Sequence, residues 1–441
     1  MKRSYWLVLF IFAIAAFLRF WKVPQLFFFG IDEEYQTLLA WEQVKHFHKI
    51  WIGLSAANTG YYIGPGLVYL HALLLKLSGG DPLIFGYFAS LVGFATLIIL
   101  YFVVRKLFDQ RTALIATILS GFSPFVVYYD RRFWNSTFVP ITAILLFYSL
   151  VRAKKNPRWY ILTAFLIAAS FHIHASLFIF IPITLISIAV YLIKTKPKKI
   201  DWLTIGISTM IYFVITSPLL VYDLVHNFDN LKTPFRILSQ IGKGSGHFSI
   251  LQHLTIFPAW MTIAGGIILI WFFLSEEGKK HAVLKTVIGF YLFLFLFYPG
   301  PMLDYYYLGF FPFFAIMTGM LLKKLNNKIL SIMAISYITV SCFIVLHWPE
   351  NGGLAAKKIF IQKTSRQIGN NSFYLATNQN YLYFGGWRYL FKIYGKTPAQ
   401  SQADQLFGWI YPEEIAKVKP KLTVTVSENN GHYQSVITKN D

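Results

Sequence analysis

Long apolar segments follow one another along most of this chain, and short clusters of Lys and Arg separate them. Segments of this length and hydrophobicity are typical of helices that cross a bilayer. Only 13% of the residues are charged and 56% are hydrophobic, whereas about 25% of the residues in soluble domains are charged. The pattern therefore excludes an ordinary soluble enzyme and predicts an all-α polytopic membrane protein over residues 1–347.

Eleven segments are predicted to cross the membrane. The first follows Lys2 and Arg3, as the apolar region of a signal peptide does, but the many later segments favour an uncleaved anchor. The predicted spans are 4–20, 83–104, 112–129, 136–151, 159–175, 176–193, 202–222, 256–274, 283–299, 308–322 and 329–347.

A further apolar stretch, residues 62–78, decides the orientation of the chain. If this stretch does not cross, eighteen Lys and Arg lie in short loops on the N-terminal side, and ten lie in longer loops on the opposite side. Cytoplasmic loops are enriched in Lys and Arg. The count predicts a cytoplasmic N-terminus and a helix at 62–78 that lies in the outer interface. These clusters account for the net charge of +21 without a nucleic-acid partner.

The last part of the chain lacks such apolar segments. Residues 348–441 are predicted to form a small soluble extracytoplasmic α+β domain, and residues 1–347 form the transmembrane domain, with a first outer loop at 21–82. Alternating apolar and polar residues from Leu422, then a turn, then residues 433–437 predict a β-hairpin. The single cysteine, Cys342, excludes disulfides within the chain.

Two neighbouring carboxylates follow the first span. Asp32 and Glu33 come directly after the very apolar stretch 26–30, which draws them toward the bilayer surface. Carboxylates at membrane depth are costly and mark functional cavities. Asp32 and Glu33 are therefore candidate catalytic residues, whereas Glu34, one residue beyond the pair, is expected to be dispensable.

Two later outer turns carry further candidates for substrate binding. Asp130, Arg131 and Arg132 stand together at the end of a span, where the two guanidinium groups bind either a phosphate or lipid headgroups. His172 and His174 occupy the next outer turn, and their spacing differs from that of a helical pair of metal ligands.

A tyrosine-rich turn lies before the tenth span. Asp304 with Tyr305, Tyr306 and Tyr307 offers hydrogen-bond partners and rings that stack on sugars. An aromatic belt at the membrane interface is the alternative reading of the same residues. Tyr305 and Tyr306 are retained as candidate substrate contacts.

Familiar hydrolase motifs are absent from the sequence, including those of P-loop nucleotidases, serine hydrolases and HExxH zinc enzymes. A membrane enzyme with its acids and arginines on the outer face has no access to cytosolic nucleotide sugars. An activated substrate for such a site has to be carried in the lipid.

Several short motifs within residues 1–347 together resemble a known family. In these motifs the chain resembles the GT-C-fold glycosyltransferases that use lipid-linked sugars, namely protein O-mannosyltransferases, aminoarabinose transferases and family 39 homologues. Three departures are Gly64 where the family has a histidine, Asp130, and Tyr306 where the family often has an arginine. The motifs are Asp32-Glu33, Gly64-Pro65-Gly66-Leu67, Arg105-Lys106-Leu107-Phe108, Ser123-Pro124, Tyr129-Asp130-Arg131-Arg132 with Trp134-Asn135, and the turn from His172 to His174.

The resemblance implies transfer of a sugar from a polyprenyl phosphate to an acceptor, with inversion at the anomeric carbon. It implies that Asp32 is the general base, that Glu33 orients the base or the sugar, and that Arg131 or Arg132 neutralises the departing phosphate. It also implies a multi-pass protein of the cytoplasmic (inner) membrane with an outward-facing site. The implied partners are the lipid-linked donor, membrane lipids, and a glycan, lipid or protein acceptor; a divalent cation (Mg or Mn) as cofactor stays open.

Two other functions stay open. A transporter or flippase of lipid-linked oligosaccharides needs broken outer helices and a polar cavity as well. A polysaccharide ligase or polymerase shares the donor but usually has a larger outer loop between late spans. The carboxylate pair beside the first span favours the transferase, since a transporter does not need it there.

Overall fold

A computed structural model of the chain describes residues 2–55, 59–195, 201–239, 259–297, 303–350, 352–383, 385–429 and 432–440. Helices occupy all eleven predicted spans, although 256–258 and 298–299, at the ends of two of them, lie outside the described residues. The prediction of an all-α polytopic membrane region is confirmed.

The helices of this region are numbered in chain order. They are α1 (Lys2–Phe20), α2 (Val23–Leu26), α3 (Ile31–Lys45), α4 (Gly66–Ser78), α5 (Leu83–Leu107), α6 (Gln110–Phe122), α7 (Pro124–Tyr129), α8 (Val139–Ala153), α9 (Trp159–Ile173), α10 (Phe180–Thr195), α11 (Trp202–Val225), α12 (Asp229–Ser239), α13 (Ala259–Leu274), α14 (Glu276–Lys280), α15 (Ala282–Phe297), α16 (Phe311–Leu322) and α17 (Asn327–Leu346). Short 3-10 helices precede α8 (Asn135–Phe138), α10 (Ala175–Ile179) and α16 (Asp304–Leu308).

Five helical stretches in the described part of the chain are long and apolar enough to cross a bilayer by themselves, and six shorter apolar helices accompany them. A crossing helix needs about 20 apolar residues. The chain is thus a multi-pass membrane protein. The five stretches are Leu83–Leu107, Asn135–Ala153, Ala175–Lys194, Trp202–Val225 and Asn327–Leu346.

The predicted span 112–129 consists of two helices, α6 and α7. Pro124 is the first residue of α7, and Ser123 before it has extended backbone angles (φ −58°, ψ 119°). Proline disfavours a helical conformation in the residue that precedes it. The hydroxyl of Ser123 accepts the N–H of Val126 at 3.4 Å and so caps α7. The chain therefore changes from α6 to α7 at this point, and residues 130–134 follow α7.

Both ends of helix α4 contact distant parts of the chain. At its start, the N–H of Gly66 donates to Nδ1 of His172, at the end of α9, over 3.1 Å. Beyond its other end, Asp81 accepts a hydrogen bond from Tyr394 in the C-terminal part of the chain at 2.5 Å. Both ends of α4 therefore have hydrogen-bonded partners outside the helix, and the interfacial position of residues 62–78 stays a prediction.

Residues 354–439, called the C-terminal unit here, form a small α/β structure. Its helices are α18 (Leu354–Ile368), α19 (Asn380–Tyr383), α20 (Trp387–Tyr394) and α21 (Asp404–Phe407), and its strands are β1 (Phe373–Thr377), β2 (Gln400–Ser401), β3 (Leu422–Asn429) and β4 (His432–Lys439).

The four strands form one sheet in the order β2-β1-β3-β4. Strand β1 is parallel to β2 and β3, and β3 pairs with β4 in an antiparallel hairpin from Leu422↔Lys439 to Asn429↔His432. Alternate residues of β3, such as Val424 and Val426, are fully buried. The predicted hairpin is confirmed, and its second strand extends beyond 433–437 at both ends.

The C-terminal unit shares a hydrophobic core with residues 21–82. Leu38 of α3 and Leu75 of α4 belong to the same buried cluster as Ile361, Phe373 and Val424 of the C-terminal unit. Burying apolar surface between two elements holds them together. The start of α3 is therefore fixed between the membrane helices on one side and the C-terminal unit on the other.

Candidate active site at the start of helix α3

Helix α3 begins with three acidic residues, and Glu33 ties its own helix start together. The N–H of Gly30, the residue before the helix, donates to Oε2 of Glu33 at 3.0 Å. Carboxylates in the first turn of a helix are stabilised by the free N–H groups and the helix dipole. The local sequence thus fixes Glu33 with one oxygen turned back toward the backbone.

The other carboxylate oxygen of Glu33 forms an ion pair with Arg132. Its Oε1 accepts Nη2 at 2.8 Å and Nε at 3.2 Å. Both side chains are largely withdrawn from water, Glu33 almost completely. Burial alone lowers the pKa of Arg132, but the Glu33 carboxylate more than offsets it, and the net shift is upward. Arg132 is therefore a permanent positive charge at this point.

Aromatic rings hold the guanidinium of Arg132 in place. Its centre lies 4.4 Å from the ring of Trp134 and 4.8 Å from that of Phe28. Stacking of this kind stabilises a cation and fixes its plane. The apolar stretch before α3 thus supplies a wall of the site through Phe28 as well as drawing the acids to the membrane surface.

Asp32 differs from Glu33 because it is exposed and accepts no hydrogen bond from the described residues. Surrounding protein atoms still remove part of its hydration. This desolvation and the charge of Glu33 raise the pKa of Asp32, while Arg132 lowers it. The result is an accessible carboxylate, beside a fixed cation, that is free to accept a proton.

Asp130 and Arg131 lie behind this surface. Asp130 pairs with the buried Arg19 of α1 at 2.8 Å. Arg131 donates to the carbonyl oxygens of Leu18 and Arg19, and its guanidinium lies 5.1 Å from the ring of Trp348. With 2% of its surface exposed, Arg131 joins α1 to the loop after α7. The structure therefore brings only Arg132 of the adjacent arginines to the acidic pair.

The tyrosine-rich turn lies beside Trp134. The hydroxyl of Tyr129 donates to Asp304 at 2.6 Å, and the rings of Trp134 and Tyr305 meet edge to face at 4.5 Å. His174 joins this group, with its ring 6.2 Å from Tyr305, and the ring of Tyr306 lies 6.0 Å from His174. Tyr305, Tyr306 and His174 thus extend the aromatic surface that begins at Arg132.

His172 has a separate position. Its Nδ1 accepts the N–H of Gly66, and its Nε2 donates to the carbonyl of Ile215 at 2.9 Å. Its ring also fills the space where a Cβ at Gly64 would lie. Gly64 is the position at which the resembling family has a histidine, so a ring from α9 takes that volume here. His172 caps α4 and does not reach the acidic pair through any described contact.

Three buried charged residues were not foreseen as parts of this region. Glu34 is buried and accepts the N–H of Tyr389 at 2.9 Å; its expected dispensability does not fit this position. Lys357 of α18 is buried and donates to the carbonyl of Phe29 at 2.8 Å. Arg19 ends the first apolar segment, and a charge inside such a segment was the available signal. The sequence around Lys357 gave no such signal, because its partner Phe29 lies 328 residues away.

A metal ion finds no ready-made set of ligands in the described residues, where no three His, Cys, Asp or Glu side chains gather. Asp32 is the free carboxylate at the site, and Glu33 has both oxygens engaged.

Part of the chain is similar to a known protein family. Residues 63–222 match the family described as dolichyl-phosphate-mannose-protein mannosyltransferase. No curated protein matches the sequence. The family match includes the Gly64–Leu67 motif, the Asp130–Arg132 turn and His172, and excludes the acidic pair.

Solved structures match over nearly the whole chain. ArnT from Cupriavidus metallidurans, solved with undecaprenyl phosphate, has a TM-score of 0.65 at 12% identity, with 98% of each chain covered. The oligosaccharyltransferase AglB from Archaeoglobus fulgidus, solved with an inhibitory peptide and a dolichol-phosphate, has a TM-score of 0.53 at 10% identity, covering 96% of this chain and 70% of its own. The chain therefore has the fold of these proteins, and the GT-C fold that its sequence motifs predict is confirmed.

Proposed function

We propose that this protein is an integral membrane glycosyltransferase that moves a sugar from a polyprenyl-phosphate donor to an acceptor, with inversion at the anomeric carbon. The observation that carries the proposal is the pairing of an accessible carboxylate, Asp32, with the fixed Glu33–Arg132 ion pair. The ligands bound in the structural relatives, undecaprenyl phosphate and a dolichol-phosphate, support a lipid-linked donor.

Asp32 acts as the general base in this proposal. The acceptor's O–H or N–H proton passes to the Asp32 carboxylate while the acceptor atom bonds to the anomeric carbon. The bond between that carbon and the phosphate oxygen breaks, and polyprenyl phosphate leaves with the electron pair. A phosphate is a good leaving group, so the reaction needs no general acid. General-base catalysis typically contributes about 10²- to 10⁴-fold in rate.

Arg132 stabilises the charge that develops on the departing phosphate. Its guanidinium is held by Glu33 on one edge and by aromatic rings on its faces, so little reorganisation is needed when the charge appears. Arg131 and Asp130 support this loop from behind, through contacts with α1. We therefore assign the phosphate contact to Arg132, with Glu33 as the residue that orients it.

The aromatic surface contacts the sugar or the acceptor. Tyr305 lies edge to face against the buried Trp134 beside Arg132, and the apolar faces of pyranose rings pack well on aromatic side chains. Tyr306 and His174 extend the same surface. The acceptor is a glycan, a lipid or a protein.

The site faces outward from the cytoplasmic (inner) membrane in this proposal. The basic loops between spans favour a cytoplasmic N-terminus, which places the α3 end of the bundle outside. Residues 1–347 form the catalytic membrane domain and residues 348–441 the extracytoplasmic domain. The outer carboxylates then meet a donor already flipped across the membrane, as part of cell-envelope glycan assembly.

The test is an assay of glycosidic bond formation and release of free polyprenyl phosphate by purified protein offered a panel of polyprenyl-phosphate sugars. Asn is nearly isosteric with Asp but accepts no proton at neutral pH. We expect Asp32→Asn to lose most turnover, by about 10²-fold or more, with undecaprenyl phosphate still bound.

Glu42→Gln, on the same helix, is the matched control and retains turnover. Wild-type turnover by Asp32→Asn would remove Asp32 from the role of base. If wild-type protein releases no polyprenyl phosphate but moves lipid-linked sugar across vesicles, the protein is a transporter instead.

A further inference from the structure

The segment that leads into α3 is held by α18 of the C-terminal unit. The N–H of Leu354 donates to the carbonyl of Phe27 at 3.0 Å, and Nζ of Lys357 donates to the carbonyl of Phe29 at 2.8 Å. Carbonyls two residues apart in an extended segment point the same way. Helix α18 therefore holds this segment at two points, and the second is directly before Gly30.

Gly30 links the segment held by α18 to the start of helix α3. Its N–H donates to Glu33, and its carbonyl accepts the N–H of Glu34 at 2.8 Å. A shift of the Phe29 carbonyl would move Gly30 and with it the carboxylate that orients Arg132. The position of Lys357 thus acts on the site through one peptide unit and one side chain.

The ammonium group of Lys357 is buried, which is costly unless strong contacts offset the loss of hydration. Only 3% of its surface is exposed, and it donates to Phe29 and to the carbonyl of Gly385 at 2.5 Å. It also lies 4.7 Å from the ring of Trp387. Burial lowers the pKa of Lys357 to about 8, and the charge of Glu34 opposes that shift.

Glu34 provides the second attachment, on the other side of Asp32. Its carboxylate accepts the N–H of Tyr389 at the start of α20. Burial raises the pKa of Glu34 to about 7, while the hydrogen bond from Tyr389 and the charge of Lys357 lower it. The C-terminal unit thus contacts the chain on both sides of the Asp32–Glu33 pair: the segment before α3 on one side and Glu34 on the other.

We propose that Lys357 is a positioning residue, through which the C-terminal unit sets the placement of the Asp32–Glu33 pair against Arg132. Lys357 touches neither Asp32 nor Arg132 and acts through the Phe29 carbonyl and Gly30. The inference rests on the proposed transferase activity, since that activity requires the acidic pair to keep a fixed position beside Arg132.

The first test is Lys357→Met, which keeps the length of the side chain and removes the ammonium group. We expect kcat to fall by about 100-fold, since a displacement of the order of 1 Å at a reacting group has that effect. The KM for the lipid donor and the binding of undecaprenyl phosphate stay near wild type. Lys358→Met is the matched control. Lys358 lies in the same interface and pairs with Asp81 at 3.6 Å, but it does not contact the segment before α3.

A double variant, Lys357→Met with Glu34→Gln, separates positioning from stability. Removing both charges leaves no unpaired buried charge, so the melting temperature lost by Lys357→Met alone is expected to return, while kcat stays low. Return of kcat together with stability would overturn the positioning role, as would an unchanged kcat in Lys357→Met. If wild-type protein itself releases no polyprenyl phosphate, the proposed function fails, and that result is distinct from either outcome of the variants.

Discussion

Asp32 and Glu33 are neighbours in the sequence, but their carboxylates lie in different surroundings in the structure. Glu33 uses both oxygens, one for Gly30 and one for Arg132, and is shielded from water. Asp32 points out of the same helical turn and remains accessible. Two adjacent carboxylates in different surroundings can serve as a fixed orienting group and a proton acceptor. The sequence predicts this pair as a candidate site, because its position after an apolar stretch is visible without a structure.

The pH dependence of turnover follows from the surroundings of Asp32. Only the ionised carboxylate takes a proton, and its pKa is raised by desolvation and by Glu33. We expect kcat/KM to fall with decreasing pH through a pKa above the usual value of about 3.9 for Asp. Because Arg132 lowers this pKa, Arg132→Gln moves the acidic limb to higher pH. A pH–rate profile of the residual activity measures the shift, and a limb displaced to lower pH would contradict it.

The two adjacent arginines give a second prediction. Arg132→Gln removes the charge beside the acidic pair, and we expect a loss of turnover of about 10²- to 10³-fold, as for other groups that stabilise charge in a transition state. Arg131→Gln removes hydrogen bonds to the backbone of α1 and lowers the melting temperature instead. Comparing melting temperature and turnover for both variants checks this division. A large loss of donor turnover in a stable Arg131→Gln protein would contradict it.

At the scale of elements, α4 depends on one imidazole. His172 links the start of α4 to α11, with its Nδ1 as acceptor for Gly66 and its Nε2 as donor to Ile215. Only glycine fits at position 64, because the ring occupies the place of a Cβ. Two motifs that lie more than 100 residues apart in the chain are therefore one packing unit.

Replacing Gly64 and His172 by alanine, singly and together, tests that packing. We expect Gly64→Ala to destabilise the protein by about 1–3 kcal/mol, as overpacked sites typically do. In the double variant with His172→Ala, the added methyl enters the space that the ring leaves, so the combined loss is smaller than the sum of the single losses. Thermal unfolding in detergent of the wild type, both single variants and the double variant completes the cycle. Additive losses would show that the ring and Gly64 do not interact.

The elements themselves were largely predictable, and their contacts were not. Hydrophobic length located the spans, and alternation from Leu422 located the hairpin, since both patterns arise from local geometry. Ser123-Pro124 was visible as a motif but was placed inside one span, although a proline restricts the residue before it. Burial of Arg131 and Lys357 depends on partners far along the chain, and no local pattern reports such partners.

At the scale of the whole molecule, orientation in the membrane can be tested with cysteine labelling. Cys342 is the only cysteine, so a Cys342→Ser protein provides a clean background. Lys154 and Asn429 are exposed and described in the structure. We expect an impermeant maleimide to label Asn429→Cys in intact cells and Lys154→Cys only after permeabilisation. The inverse result would place the acidic pair in the cytoplasm and remove the outward-facing site.

The shared core of α3 and the C-terminal unit has a consequence for biosynthesis. A ribosome delivers the first outer loop early, whereas Lys357 and Tyr389, which hold it, are 328 and 355 residues away from their partners Phe29 and Glu34. The apolar face of this loop is therefore covered only after the residues from 354 onward have been synthesised. A chain truncated before Lys357 is therefore expected to leave the backbone before the acidic pair without these two contacts.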